Sequence, residues 1–267
     1  MASEFGLIEL VSGGRVEAGE LAVVVLRYVA GSAGLAAGGS ILIDTESDSD
    51  WGRPQVVDSG ADDYLKVSPP DGRAVSVHTP DHKSLVVTVQ SGTVSAGESL
   101  TISLGAGDGL RAQTFYETEH YFRCRVDPTG EGVSTAIESV IVEVAGGQAE
   151  SLSAIAPSDI EIGSSFALLL KAEDRWGNPA ERYRGSVDIS APGLILPDGD
   201  TLSFGDSDGG VRRIEGAVFT EAGATRISVE DVENGLSASS NQVRIAQELP
   251  ALKLFWGDPH SGQVADP

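Results

Sequence analysis

Apolar residues in this chain recur at every second position over short runs, and that period decides the class of fold open to it. Ile227-Ser228-Val229 and Val243-Arg244-Ile245 turn their apolar residues to one face of an extended backbone. A helix needs a repeat near 3.6 instead. Comparable segments occupy 21–28, 40–43, 74–77, 85–89, 100–104, 122–126, 140–144, 166–172, 187–189, 226–229 and 242–245. Clusters of Gly, Asp, Ser and Pro separate them at a spacing of about ten residues, which implies an all-β chain of antiparallel sandwiches. Ala167-Leu168-Leu169-Leu170 is apolar throughout and reads as a central strand.

A weak internal echo marks how the strands begin. Val16-Glu17-Ala18-Gly19-Glu20-Leu21, Val94-Ser95-Ala96-Gly97-Glu98-Ser99-Leu100 and Ile160-Glu161-Ile162-Gly163-Ser164-Ser165-Phe166 share one pattern. An apolar residue leads into a turn with Gly, and a polar step then enters a strand, glycine supplying the left-handed backbone such a turn uses. The intervals are unequal, so this is a shared way of entering a strand and not a repeat array.

Gly146-Gly147-Gln148 is the expected boundary. It divides an N-terminal β-sandwich domain, 1–147, from a second domain, 148–247, close in length to one immunoglobulin-like sandwich. Residues 1–147 are expected to form one sandwich and not two split near Ser91, because each half is short for an independent core. From Glu248 the register changes. Leu249-Pro250 reads as a linker and 252–256 as one more strand with nothing to pack on, so 248–267 is expected to open a further domain of a longer protein.

The charge balance, 40 Asp+Glu against 18 Lys+Arg for a net −22, argues against nucleic acid and anionic membranes as partners. With Cys124 as the single cysteine, no internal disulfide is available. The N-terminal residues carry no basic region followed by an apolar run, and the longest apolar stretch, 21–26, is too short to cross a bilayer. The expected location is cytoplasmic. Oligomeric state is not legible.

Four segments are candidates for chemistry. Lys171-Ala172-Glu173-Asp174-Arg175-Trp176-Gly177-Asn178-Pro179 reads as a strand end and a tight turn. It is a ligand loop with Trp176 exposed, or else a structural corner with Trp176 covering the sandwich edge, a motif similar to corners in adhesin and filamin-like modules. The acidic loops, 44–50, 198–200 and 206–209, offer the oxygen ligands calcium prefers, without its twelve-residue loop. His78 and His82 flank a hairpin loop and His120 follows Glu117 and Glu119. They are zinc-ligand candidates, or else loop histidines on an acidic surface. No nucleophile elbow or phosphate loop occurs, so no nucleophile or cofactor-binding residue is assigned.

The fourth segment is Leu254-Phe255-Trp256-Gly257-Asp258-Pro259-His260-Ser261-Gly262-Gln263. Asp258 and His260 are two residues apart after an apolar strand, so both side chains face one way and can reach one metal ion. The run resembles the opening of the catalytic domain in a bacterial family long labelled as a domain of unknown function. That family is similar to the PHP (polymerase and histidinol phosphatase-like) metal-dependent hydrolases, and starts its catalytic domain with a Trp-Gly-Asp-Leu-His-Gly-Gln-Ser-like run after β-rich modules. Gly38-Gly39-Ser40, Trp51-Gly52-Arg53-Pro54-Gln55, Asp108-Gly109-Leu110-Arg111 leading to Thr114-Phe115, Asp174 to Pro179, and Ser239-Ser240-Asn241-Gln242-Val243 fit as well. The sequence departs from the pattern at Pro259, at the order Ser-Gly-Gln after His260, and at Gly262, where other PHP enzymes complete a His-x-His pair.

The resemblance implies that Asp258 and His260 are a partial ligand set for a divalent metal, manganese or zinc, completed in the full-length parent. No cofactor is expected for this chain alone. It would be the non-catalytic β-sandwich region of a metal-dependent hydrolase, a phosphoesterase in its full-length form. Its partner would be the downstream catalytic domain of the same protein, which it would pack on or orient. The alternative reading is an immunoglobulin-like adhesin or a carbohydrate- or protein-binding module.

Overall fold

The computed structural model describes residues 4–45, 48–81 and 83–249. The described residues form strands joined by turns, with one three-residue 3-10 turn, Asp206–Asp208, and no α-helix. No helix among them is long and apolar enough to cross a membrane. The chain divides between Gly146 and Gly147 into two compact units.

In the first unit a four-stranded antiparallel sheet runs in the order Leu7–Ser12, Val24–Val29, Ser99–Leu104, Leu65–Ser68. A six-stranded sheet runs Arg15–Glu17, Thr135–Ala145, Glu117–Asp127, Ser40–Asp44, Ser84–Ser91, Ala74–His78. A short ribbon pairs Leu110–Arg111 with Leu21–Ala22. The period-two pattern sets the packing. Leu26, Tyr28, Leu100 and Ile102 of one sheet and Ile41, Ile43, Val87 and Val142 of the other are all at most 2% exposed. Burying each such aliphatic side chain is worth about 1.5–3 kcal/mol. One core cluster extends from Ile8 to Val144. Both sheets take strands from either side of Ser91, so neither half could close a core without the other.

The second unit is built on the same plan. Ser151–Ile155, Ser165–Glu173, Val211–Phe219 and Leu194–Ile195 form one sheet, and Thr201–Ser203, Ser186–Ser190, Ser228–Asp231 and Leu236–Ser239 another. Asp159–Glu161, Val243–Ala246 and Gly223–Thr225 complete it. Ser165–Glu173 pairs with Val211–Phe219, which returns after a long excursion, and Ser186–Ser190 pairs with Ser228–Asp231, the Greek-key pairing of an immunoglobulin-like sandwich. The apolar run 167–170 does lie between two partners, but only Leu168 and Leu170 are buried while Ala167 and Leu169 are half-buried. A sandwich sheet has one core face, so a continuous apolar run in it cannot be covered on both sides.

Each unit opens with a strand split between sheets. Leu7–Ser12 pairs antiparallel with Val24–Val29, and the chain then crosses so that Arg15–Glu17 runs parallel to the unit's last strand, Thr135–Ala145. Ser151–Ile155 and Asp159–Glu161 repeat the move against Ser165–Glu173 and Val243–Ala246. At the first crossing Gly13 has φ +81°, and a Cβ there would strike the Val23 carbonyl.

The echoed segments are the turns that follow. Glu20 N–H bonds Glu17 O at 3.2 Å, Glu98 N–H bonds Ser95 O at 2.9 Å, and Ser164 N–H bonds Glu161 O at 3.0 Å. Gly19, Gly97 and Gly163 stand at the third position of these turns with φ of +72°, +81° and +76°, where a type II turn needs positive φ. In both units the residue before that glycine donates to the end of the last strand, Ala18 to Ala145 O and Ile162 to Ala246 O. For the first and third segments the sequence similarity is therefore a similarity of position in the sandwich, whereas the second is the same turn placed before Ser99–Leu104.

Candidate functional site

The most chemically varied cluster lies in the first unit, around a strap between Ser40–Asp44 and Leu65–Ser68. Residues 48–64 lie outside the sheet and fold back on 105–115. Asp50 fixes the strap's near side, its carboxylate accepting the Thr114 N–H and the Thr114 hydroxyl, each at 2.8 Å. Gly52 N–H bonds Arg111 O at 2.8 Å, Asp63 N–H bonds Gly109 O at 2.7 Å, and Asp63 Oδ1 accepts the Arg111 N–H at 3.0 Å. A Cβ on Gly52 would overlap the Asp63 carboxylate and displace it from the Arg111 N–H. Gln55 organises the tip, its Oε1 accepting the N–H groups of Val57 and Asp58. Three of the sequence motifs, 51–55, 108–111 and 114–115, thus meet as one layer of main-chain bonds.

That layer presses Trp51 into the core at 6% exposure, beside His120 and Phe122 at ring separations of 5.4 Å. His120 is fully buried, with Nδ1 3.0 Å from Glu117 Oε2. Gln113, also fully buried, donates from Nε2 to the same oxygen at 2.7 Å and to Phe115 O at 3.1 Å. The expectation of a surface loop histidine is corrected here. His120 lies inside the strand Glu117–Asp127 and faces the core with Phe122, Cys124 and Val126. The signal was present, since 120, 122, 124 and 126 share a period of two, but the acidic residues before it masked the register. The Cys124 thiol is likewise buried, which pushes it up to about 12 and leaves it protonated and unreactive.

The other candidates resolve into corners. Asp174, 3% exposed, accepts the N–H groups of Trp176 and Asn178 at 2.9 Å, the Asn178 side-chain amide at 3.0 Å and the Gly147 N–H at 2.9 Å. Burial pushes its carboxyl upward, and these donors outweigh that and hold it below the ordinary range. The corner is structural, but Trp176 does not cover the sandwich edge. It is 46% exposed, with the Arg175 guanidinium 4.9 Å from its ring centre. Asp127 plays the same part in its hairpin, accepting from Thr129, Gly130 and Gly132. Gly38 and Gly39 run close to that loop, and a Cβ on Gly39 would meet Pro128 O at 2.7 Å. Asp231, 1% exposed, accepts from the Tyr183 hydroxyl and from Asn234, with Gly185 so close that a Cβ would overlap both the Asp231 and Tyr183 oxygens. Ser240 closes the last corner, its hydroxyl accepting the Ile227 N–H at 2.9 Å.

Among the described residues, the carboxylates of the acidic loops do not converge on one point. Asp206 pairs with Arg184 and Asp208 with Arg212, and Asp50 is engaged by Thr114. No group of three His, Cys, Asp or Glu among the described residues could hold a metal ion. His78 is exposed at the end of Ala74–His78. His82, Asp258 and His260 lie outside the described residues.

The broad outer face of the six-stranded sheet was not anticipated. Arg125 stands opposite Leu42, Leu42 opposite Val86, and Val86 opposite His78, a row four strands wide. Tyr121 stands opposite Ile141, which is 43% exposed. Ile141 also lines an open groove of about 420 Å³ between residues 7–10 and 138–141.

No protein-family model matches the chain, and no curated protein sequence does. Among solved structures it is similar to the Yersinia pseudotuberculosis adhesin InvE, at 11% identity over 89% of this chain and 58% of that one, with a TM-score of 0.29. It is also similar to an ICAM-5 D1–D4 ectodomain fragment, at 12% identity over 90% and 53%, TM-score 0.29. A marsupial T cell receptor is similar at 11% identity over 91% and 72%, TM-score 0.30. The chain spans little more than half the length of the first two. The assignment as an all-β, immunoglobulin-like sandwich protein rests on its own strand pairing.

Proposed function

We propose that this chain is a recognition region, two consecutive sandwich modules that bind a protein or carbohydrate partner through the outer face of the first module's six-stranded sheet. The observation that carries the proposal is the row Arg125, Leu42, Val86, His78, adjoined by Tyr121 and Ile141. It sets half-buried apolar and aromatic groups beside a cation, in a chain of net charge −22. Interface cores favour such aromatic, aliphatic and Arg groups with few carboxylates. The buried carboxylates Asp127, Asp174 and Asp231 support the same reading, because each is committed to main-chain donors and holds a corner.

The second reading is the β-sandwich region of a PHP-like metal-dependent hydrolase. It is supported by the sequence run containing Asp258 and His260, which would be two ligands of a divalent metal. One comparison separates the two. The chain is applied to an array of glycans and extracellular proteins, and in parallel titrated with manganese while the Asp258 and His260 signals are followed by nuclear magnetic resonance. Saturable array binding without a metal response at those residues supports recognition. No array binding, together with a manganese response lost in Asp258→Ala, overturns it in favour of the second reading.

A further inference from the structure

Three buried polar atoms of the first unit have no protein hydrogen-bond partner among the described residues: Trp51 Nε1, Gln113 Oε1 and His120 Nε2. They belong to one cluster. The Glu117 carboxylate joins Gln113 to His120, and the Trp51 and His120 rings are in contact. An unsatisfied buried group costs about 1–3 kcal/mol, so three together in one cluster need an explanation.

Glu117 fixes which groups give and which take. An ionised carboxylate only accepts. Gln113 therefore turns its NH2 toward Glu117 and leaves Oε1 as an acceptor. A neutral His120 that gives its Nδ1 proton to the same carboxylate keeps a lone pair on Nε2. The inventory is one donor, the Trp51 indole N–H, and two acceptors. A metal cation fits it badly, because the indole N–H adds a positive hydrogen to the same ligand set. An anion fits worse, since it would meet two lone pairs. Water, with two O–H donors and accepting lone pairs, matches the set.

We propose that Trp51, Gln113 and His120 hold one internal water, which donates to Gln113 Oε1 and His120 Nε2 and accepts the Trp51 indole N–H. Internal waters of globular proteins typically make about three such bonds. This one would cross-link the strap to the strand Glu117–Asp127, since Trp51 is supplied by the first and His120 by the second.

Nuclear magnetic resonance on the ¹⁵N-labelled full chain tests this without any substitution. The expected result is cross-relaxation between the Trp51 indole proton and a water that outlasts molecular tumbling, with His120 protonated at Nδ1 and bare at Nε2. Trp51→Phe keeps an aromatic ring and removes the donor, and is expected to lower the count of long-lived waters by one in oxygen-17 relaxation dispersion. A Trp51 indole proton with no resident water overturns the proposal, as does a proton on His120 Nε2. So does a zinc- or manganese-dependent shift of the His120 nitrogens that a chelator reverses.

Discussion

Single carboxylates hold this molecule's corners, and their environment makes the holding dependent on pH. Burial alone would raise the pKa of Asp127, Asp174 and Asp231, yet hydrogen bonds from neighbouring N–H and O–H groups leave all three lowered. The folded state then binds their protons less tightly than the unfolded chain, where Asp titrates near ~3.9. Their stabilisation is complete above about pH 4 and is lost as pH falls through the depressed values. Acid titration followed by circular dichroism should show this loss below about pH 4, shifted or reduced in Asp174→Asn. Asp174→Ala removes the acceptor for Gly147, Trp176 and Asn178 and is expected to destabilise the second unit by about 3 kcal/mol in urea unfolding. A cost within 0.5 kcal/mol, the range of ordinary surface changes, would contradict the corner's role.

The legibility of a residue followed how local its determinants were. Asp174-Arg175-Trp176-Gly177-Asn178-Pro179 announced its turn because the acceptor Asp174 and the turn's own donors, Trp176 and Asn178, lie within five positions of one another, while the Gly147 donor was not legible. Trp51 and His120 did not announce theirs, since their meeting depends on a strap and a strand about seventy residues apart.

At the scale of elements, the strands were legible because one period governs both sequence and packing. The three Gly-containing turns were legible because positive φ leaves few alternatives to glycine. At Gly97 and Gly163 a Cβ would meet nothing within 4 Å, so backbone strain is the whole expected penalty of Ala there. Gly97→Ala and Gly163→Ala should each lose about 1 kcal/mol. Gly185→Ala should lose several times more and release the Tyr183–Asp231 bond, because its Cβ would overlap both oxygens of that bond. Equal losses at all three positions would contradict the distinction. The split opening strand was not legible, because nothing in Leu7 to Glu17 records that the chain changes sheets, beyond Gly13-Gly14 at the crossing.

For the whole molecule, each unit has its own core, with Val142 and Val144 closing one and Leu152 and Ile160 opening the other. Residues 1–146 and 147–249, produced separately, should each unfold cooperatively, with Trp51 emitting as a buried indole in the first and Trp176 as an exposed one in the second. Failure of either to fold alone would show that the boundary does not separate self-sufficient cores. The proposed recognition face is the part with most at stake, and affinity measured on one array-selected ligand tests it most directly. Wild-type chain and the double variant Leu42→Ser, Arg125→Glu are titrated side by side, with the melting temperature of each recorded. Binding at least tenfold weaker at an unchanged melting temperature is the result expected if the six-stranded sheet meets the partner. Equal affinity in the two proteins would contradict it.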